Sequence, residues 1–249
     1  MLKVFYSLEH YGISDVGLAR EQNEDFWAAF PESGSFILAD GMGGHNAGEV
    51  ASQHAVHSLH ALLEEFAWSE NSSPEEIKQL FKHAFSEVSR MIFAEAQSRT
   101  DLQGMGTTLT ALQFVEKVVT VGHVGDSRAY RHRDGKLKQL TTDHTVMSRM
   151  KTAIAKKEVQ MLRHVLTRAI GIYADVKAEA HSFPVKPNDL YLLCSDGLTN
   201  YISNVEIEQG LNATSSLEEL GQKFVMVAKQ RGGSDNITAV FVRVGNDLP

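Results

Sequence analysis

The sequence has 249 residues, of which 43% are hydrophobic and 22% charged, so a disordered or fibrous chain is excluded. Its formal charge of −7 disfavours a nucleic-acid-binding protein, because phosphate backbones are bound by basic surfaces. The single cysteine, Cys194, excludes an internal disulfide, no apolar run approaches the roughly 18 residues of a membrane span, and residues 1–12 lack a signal-peptide core. We therefore expect a cytoplasmic protein that binds neither nucleic acid nor membrane.

The first half of the chain predicts one strand followed by two helices. The apolar run Ser35–Ala39 is typical of a buried strand. Asn46, with a glutamate three residues later, begins a helix that continues to about Trp68. Ser73 begins the second helix with the same capping pattern, and apolar residues over 77–92 recur at the spacing of one buried face.

The second half predicts mainly strands. Asp134-Gly135 has the residue types of a type I′ hairpin turn. The segment Thr145–Arg168 is helix-prone but weakly patterned, and we place it outside the core. A last helix begins at Ser216 and runs to about Gln230. The predicted strands of this half are Leu109–Val115, Val118–Val124, Arg128–Arg133, Lys136–Leu140, Leu190–Cys194 and Asn236–Val244.

The pattern of these elements predicts the fold class. Strands such as Leu190–Cys194 are apolar on both sides and need cover on two faces, which helices provide on one face and a second sheet on the other. No linker, low-complexity tract or internal repeat divides the chain. We expect one α+β domain, residues 1–249, built as a layered sandwich.

Four aspartates fall where an apolar strand meets a glycine-containing turn: Asp40, Asp126, Asp196 and Asp235. Carboxylates gathered at one sheet edge would repel each other unless cations neutralise them, and all-oxygen ligands suit Mg²⁺ or Mn²⁺. A lone Asp-Gly is most often a simple turn, and Asp134-Gly135 is one. From this pattern alone, a metal cluster and a set of turns both remain open.

A second charged segment, Arg20 to Asp25, has two interpretations. It places an arginine four residues before the pair Glu24 and Asp25. Such a cluster is commonly a solvated surface. A site for a phosphorylated substrate also needs this combination, because an arginine binds phosphate oxygens in a bidentate manner while carboxylates hold metal ions.

With these residues assembled, the sequence resembles the metal-dependent protein Ser/Thr phosphatases of the 2C type (the PPM family) in their bacterial form. Eight matching stretches occur in the family's order and cover residues 14–240, nearly the whole chain. They are residues 14–25, 38–49, 104–108, 124–130, 142–144, 165–171, 194–198 and 234–238, and they include Asp-Gly-Met-Gly-Gly-His, Gly-Asp-Ser-Arg and Ser-Asp-Asn-Ile-Thr.

The resemblance implies a four-layer α-β-β-α sandwich with two antiparallel sheets and a centre of two Mn²⁺ or Mg²⁺ ions. It implies that Asp40 bridges both ions and that the Gly41 carbonyl binds one, while Asp196 and Asp235 hold the other. The remaining implied roles are water-mediated binding by Glu24 and Asp25, a third and weaker ion at Asp126 as in bacterial relatives, and phosphate binding by Arg20.

The same resemblance implies hydrolysis of phosphoserine and phosphothreonine in proteins by a metal-bridged hydroxide. Met42 stands where eukaryotic members have a histidine, so the general acid is open, with His45 as a candidate. The stretch of about 143–171 matches a flap beside the site. The implied partners are phosphorylated proteins and a bacterial Ser/Thr kinase whose action the enzyme reverses. The enzyme is expected to be a monomer.

Two alternatives belong to other classes. A catalytically dead member would bind phosphoproteins without hydrolysing them, but such members are expected to lose metal aspartates, which this chain keeps. A phosphatase of a stress-response partner switch usually carries sensor or regulatory domains, for which this chain has almost no room. The complete set of acids favours the active enzyme.

Overall fold

Two antiparallel sheets make up the centre of the fold in the computed structural model, which describes residues 6–43, 47–66, 73–149, 162, 165–213 and 216–247. In spatial order, the first sheet consists of β1 (Tyr6–Asp15), β11 (Ile237–Asp247), β10 (Leu190–Cys194), β7 (Arg128–Arg133) and β8 (Lys136–Gln139). The second consists of β2 (Asp25–Phe30), β3 (Ser35–Met42), β5 (Leu109–Val115), β6 (Val118–Val124) and β9 (Glu179–Pro184), with β4 (Gly106–Thr107) paired to the end of β3.

Helices cover the outer face of each sheet. The long helices α1 (Ala47–Glu65) and α2 (Pro74–Ser98) pack on the second sheet, and α4 (Asp196–Thr199), α5 (Asn204–Ala213) and α6 (Leu217–Gln230) pack on the first. A short α3 (Val146–Arg149) follows β8, and 3₁₀ turns occupy Pro31–Ser33 and Thr100–Leu102. None of the helices in the described ranges has both the length and the apolarity needed to cross a bilayer. The predicted α-β-β-α layering with two antiparallel sheets is confirmed.

The space between the sheets is filled by large side chains from both. Phe36 and Phe114 of the second sheet and Tyr191 of the first are fully or almost fully buried. The Phe114 ring contacts the other two edge-on, with ring centroids 5.9 Å from Phe36 and 5.4 Å from Tyr191. Each such side chain contributes about 2–3 kcal/mol by leaving water, so this layer fixes how the sheets sit on each other.

The predicted hairpin turn and the predicted caps at Ser73 and Ser216 are confirmed, whereas Asn46, the predicted cap of the first long helix, lies outside the described residues. The Ser73 amide donates to Glu76 Oε2 at 2.7 Å while the Glu76 amide donates to Ser73 Oγ at 3.3 Å, forming the capping box. Asp134 and Gly135 both have positive φ, 52° and 74°, as a type I′ turn requires. Ser216 caps α6 in the expected place.

Element bounds differ from the predictions in several places. Four of the predicted strands have the predicted ends, whereas β3 and β11 extend further and β8 ends one residue earlier. The strands β1, β2 and β9 and the helix α5 were not predicted, because these segments mix polar and apolar residues on half-exposed surfaces. The two-residue strand β4 and the four-residue helix α4 were not predicted either. Of the helix-prone segment Thr145–Arg168, the structure shows α3, and most of the rest lies outside the described residues.

A buried histidine pair joins β6 to the segment after β8. His123 is 2% exposed, its ring centroid lies 4.8 Å from that of His144, and its Nδ1 atom is 3.0 Å from Thr110 Oγ1. Its Nε2 atom has no hydrogen-bond partner among the described residues. Burial, and to a lesser extent the neighbouring His144, lowers the pKa of His123 to about 3, although Glu179 acts in the opposite direction.

We expect His123 to make the protein acid-sensitive. The histidine is neutral when folded but takes up a proton below its ordinary pKa of 6.5 when unfolded, so stability falls as pH drops from 6.5 towards 3. The penalty is about 2 kcal/mol at pH 5. Urea unfolding of wild type and His123→Gln between pH 7 and 4 checks this. The slope of the unfolding free energy against pH should be smaller in the variant by the amount that corresponds to about one proton. Equal slopes would contradict it.

Candidate metal centre

Two of the predicted acids are cross-strand neighbours. Asp25 begins β2, Asp40 lies in the last part of β3, and the antiparallel register sets their Cα atoms opposite each other. Residues paired in this way project from the same face of a sheet, where two like charges are destabilising. The strand pairing itself therefore creates a local need for positive charge.

Asp25 is held by hydroxyl groups from the other sheet. Its Oδ2 atom accepts hydrogen bonds from Ser195 Oγ at 2.7 Å and from Thr238 Oγ1 at 2.6 Å. Its Oδ1 atom is buried and has no hydrogen-bond partner among the described residues. Burial raises the pKa of Asp25 to about 7, even though these two hydrogen bonds lower it. A buried carboxylate oxygen left without a hydrogen bond is a group that a cation, or a water bound to one, would satisfy.

Asp40 is the central carboxylate of the group. Its amide donates to Thr108 Oγ1 at 2.9 Å, and its carbonyl accepts from the Thr108 amide and Thr107 Oγ1, each at 2.9 Å. The backbone is thereby fixed by β4 and the start of β5. Burial raises the pKa of the Asp40 carboxyl well above its usual range, and four other carboxylates raise it further: Asp25, Asp196, Asp126 and Asp235.

The other three aspartates lie at or next to the ends of elements. Asp196 begins α4 directly after β10, Asp235 precedes β11, and Asp126 follows β6 in a turn. All three line one cavity of about 580 Å³ together with Asp40 and Gly41. Asp126 and Asp196 also line a neighbouring cavity of about 440 Å³. The structure therefore brings together the acids that the sequence places at separate strand ends.

Glu24 and Gly41 are joined through the backbone. The Gly41 amide donates to the Glu24 carbonyl at 3.1 Å, and a Cβ atom at Gly41 would lie 2.6 Å from that oxygen. Only glycine fits so close an approach. Burial raises the pKa of Glu24, the charge of Arg20 opposes this, and the Gly48 amide at the start of α1 also lowers it.

Arg20 lies at the cavity wall, paired with one of the acids. Its Nε atom is 2.9 Å from Asp235 Oδ1, its Nη2 donates to Asp235 Oδ2 at 3.1 Å, and its Nη1 is 3.8 Å from Glu24 Oε2. Burial lowers the pKa of Arg20, but Asp235 above all raises it on balance. Arg168 also lines the cavity, but it is engaged with Glu179 at 3.0 Å and His144 at 3.0 Å.

The arrangement fits hard cations, with one qualification. Among the described residues, no three His, Cys, Asp or Glu side chains already converge as a ready-made coordination sphere. Five carboxylates without ions would be driven apart by repulsion. The Asp25 Oδ1 atom, which has no hydrogen-bond partner among the described residues, and the effect of the neighbouring acids on the pKa of Asp40 indicate that these two carboxylates need additional positive charge. His45, the candidate general acid, lies outside the described residues.

Several supporting residues were not predicted from the sequence. Asn236 accepts from the Glu24 amide at 2.8 Å and donates to the carbonyls of Val16 and Gln22 at 3.0 and 2.9 Å. Ser195 and Thr238 orient Asp25 as described above. Asn236 directly follows a candidate aspartate, Ser195 directly precedes one and Thr238 interrupts an apolar strand, and those positions were the signal available in the sequence.

The chain is similar to known proteins over nearly its whole length. Residues 19–240 match the family model described as protein phosphatase 2C. The serine/threonine phosphatase stp of Listeria welshimeri is 38% identical, over 92% of this chain and 93% of that protein. The crystal structure of Stp1 from Staphylococcus aureus has the same fold, with 28% identity, a TM-score of 0.88, and coverage of 99% of this chain and 98% of that one. The crystal structure of the PstP catalytic domain with two manganese ions also has this fold, with 34% identity, a TM-score of 0.83, and coverage of 96% of this chain and 99% of that one.

Proposed function

The chain belongs to the protein phosphatase 2C family, and from this premise we propose that the carboxylate-lined cavity is the metal centre of the enzyme. The protein is a bacterial-type protein-serine/threonine phosphatase, a phosphoric monoester hydrolase acting on phosphorylated proteins. The observation that supports the location of the centre is the pairing of Asp25 and Asp40, with a buried carboxylate oxygen that lacks a partner among the described residues.

We assign the residues that would hold the ions as follows. Asp40 would bind two ions, the carbonyl of Gly41 would bind one of them, and Asp196 and Asp235 would bind the other. Glu24 and Asp25 would act mainly through water. A third ion would bind between Asp126 and Asp196, a placement supported by the cavity that these two residues share beside the main one. The family is metal-dependent, and we propose Mn²⁺ or Mg²⁺ because every assigned donor is an oxygen.

The ions, when bound, polarise the phosphoryl group and acidify a water nucleophile. The chain's own residues position the substrate. Arg20 would bind the phosphate oxygens with its planar fork, since it is the cavity arginine whose partner, Asp235, would also be a metal ligand. The leaving alkoxide needs a proton, and His45 stays the candidate donor.

The experiment that tests this function is metal exchange. Purified protein is expected to hydrolyse p-nitrophenyl phosphate and a phosphothreonine peptide in Mn²⁺, to lose both activities in excess EDTA, and to recover them when Mn²⁺ returns. Without ions the clustered carboxylates would repel an anionic phosphoester. A parallel series with Mg²⁺ in place of Mn²⁺ tests whether Mg²⁺ also supports activity. Undiminished turnover in excess EDTA would refute the metal centre.

Arg20→Ala is expected to raise KM for p-nitrophenyl phosphate about tenfold and to lower kcat less. An arginine that binds phosphate equally in the ground and transition states contributes to affinity alone, and one charge-assisted hydrogen-bonded contact is worth about 1.5–3 kcal/mol. The matched control is Arg243→Ala, which removes a surface pair with Glu9 on β1 (2.8 Å). Steady-state kinetics in saturating Mn²⁺ measure both variants, and an unchanged KM for Arg20→Ala would contradict the role.

Further features of the biology are proposals as well. We propose a single catalytic domain, residues 1–249, with a flap over about 143–171. Backbone bonds that join His144 to Thr167 (2.7 Å) and Val146 to Val165 (2.9 Å) support it by closing the segment at its base. We further propose a cytoplasmic monomer that opposes a Ser/Thr kinase and binds neither nucleic acid nor membrane. Light scattering tests whether the protein is a monomer. Dephosphorylation of a co-purified Ser/Thr kinase tests whether the enzyme opposes such a kinase.

A further inference from the structure

The cavity that contains the carboxylates has a second wall of different chemistry. Ile172, Tyr173 and Val176 lie in the loop before β9 and line the same cavity as Asp40. Tyr173 is 73% exposed, and the other two are half-buried. An isolated exposed apolar residue is ordinary, but three in one wall of a charged cavity offer a binding surface.

The backbone beneath Tyr173 is held rigidly. The buried hydroxyl of Ser89, on α2, accepts from the Gly171 amide at 3.0 Å and donates to the Tyr173 carbonyl at 2.9 Å. Gly171 has φ of +84°, a left-handed conformation that glycine adopts without strain. Ile170 exchanges two backbone hydrogen bonds with Thr107, at 2.8 and 3.0 Å. Tyr173 therefore projects from a turn fixed at two points.

The far end of the loop is fixed as well. Arg90 donates to Asp175 Oδ1 at 3.1 and 2.9 Å, and Arg168 donates to the Lys177 carbonyl at 3.1 Å. Val176 packs against the core between α1, α2 and the second sheet. A surface that is ordered before binding loses little conformational entropy when a ligand is bound, which is the usual property of a recognition site.

The wall is also fixed relative to the reacting centre. Thr107, which pairs with Ile170, donates its hydroxyl to the Asp40 carbonyl at 2.9 Å. A cavity of about 580 Å³ is roughly 10 Å across, which is the reach of about three extended residues. When the phosphate of a phosphoprotein lies in the cavity, residues within about three positions of the phosphorylated residue can therefore reach the wall.

We propose that Ile172, Tyr173 and Val176 bind the substrate polypeptide beside the phosphorylated residue and select segments with a large apolar side chain next to it. The inference rests on the proposed function, because it takes the carboxylate cavity as the phosphatase site. Tyr173 is the main specificity residue, since its ring is the most exposed apolar group of the wall.

The test compares two phosphothreonine peptides that differ only at the flanking positions, phenylalanine in one and serine in the other. For each variant, kcat/KM on a peptide is divided by kcat/KM on p-nitrophenyl phosphate, which corrects for any change in the metal site. Wild type is expected to prefer the apolar peptide about tenfold, Tyr173→Phe to keep the preference, and Tyr173→Ser to lose it. The control is Val205→Ser on α5, which is 65% exposed and does not line the cavity.

Each outcome has a definite meaning. Equal rates on the two peptides in wild type, or an unchanged preference in Tyr173→Ser, would refute the specificity wall while leaving the phosphatase function intact. Wild type that hydrolyses neither peptide nor p-nitrophenyl phosphate in Mn²⁺ would refute the proposed function, and this inference with it. A preference lost in Tyr173→Ser and kept in Tyr173→Phe and Val205→Ser would establish the wall.

Discussion

Replacing Asp40 by asparagine is expected to abolish phosphatase activity and, at the same time, to stabilise the metal-free protein. The activity loss follows from the central position of this carboxylate and should reach about 4 kcal/mol of transition-state stabilisation, roughly a thousandfold in rate. The stability gain follows because Asp40 is half-buried and surrounded by four other carboxylates, and this environment raises its pKa well above the usual range. A neutral side chain of the same shape removes that repulsion, with an expected gain of about 1–3 kcal/mol.

The gain should depend on pH in a defined direction. A carboxyl whose pKa is raised by folding destabilises the protein above its unfolded pKa of 3.8 and has no effect below it. The stability difference between Asp40→Asn and wild type should therefore be largest near pH 7 and vanish near pH 4. Urea unfolding in EDTA at both pH values measures it, and Asp134→Asn, in the exposed hairpin turn, is the control. Equal or lower stability of Asp40→Asn at pH 7 would contradict the charge argument.

Asp235→Asn is expected to abolish activity to a similar extent without stabilising the metal-free protein. The charge of Asp235 is already paired with Arg20 through two short contacts, and the side chain is 34% exposed. Removing it would free Arg20 and change the free energy of unfolding by less than about 1 kcal/mol. The two asparagine variants should thus share one kinetic phenotype and differ in stability.

Manganese binding distinguishes the loss of a metal ligand in Asp235→Asn from a loss of activity caused by misfolding. Wild type should gain thermal stability as Mn²⁺ is added, whereas Asp235→Asn should gain little over the same concentrations. An ion that binds only the folded state stabilises it once the ion concentration exceeds the dissociation constant, and the loss of a ligand raises that constant. Differential scanning calorimetry with and without Mn²⁺ measures both proteins. A normal Mn²⁺-dependent rise in Tm together with normal turnover would show that Asp235 is not a ligand.

The position of the acids could be predicted because the signals are local. Asp40, Asp126, Asp196 and Asp235 each adjoin an apolar run and a glycine, and both features are visible within a few residues. The two sheets and outer helices were likewise predictable from strands that are apolar on both sides. The bounds of β5, β6, β7 and β10 were correct, whereas β3 and β11 extend past their apolar runs into residues that local sequence did not mark as strand.

The pairing of Asp25 with Asp40 could not be predicted, because β2 has no clear alternation and its register depends on tertiary contacts. The role of Asn236 depends on contacts with residues more than two hundred positions away in the sequence. The wall around Tyr173 is similar in this respect. Its order comes from Ser89 on α2, and no local pattern links the two segments.

The hydrogen bonds of Asp25 cross from one sheet to the other, since its carboxylate belongs to the second sheet and its hydroxyl donors, Ser195 and Thr238, belong to strand ends of the first. The proposed ligands are divided in the same way, with Asp40 on one sheet and Asp235 at the edge of the other. An ion bound by ligands from both sheets would therefore cross-link the two sheets. A small displacement of one sheet relative to the other, for example after Phe114 is replaced by a smaller residue, would then change the ligand geometry and the activity. No residue of the metal centre would have been substituted.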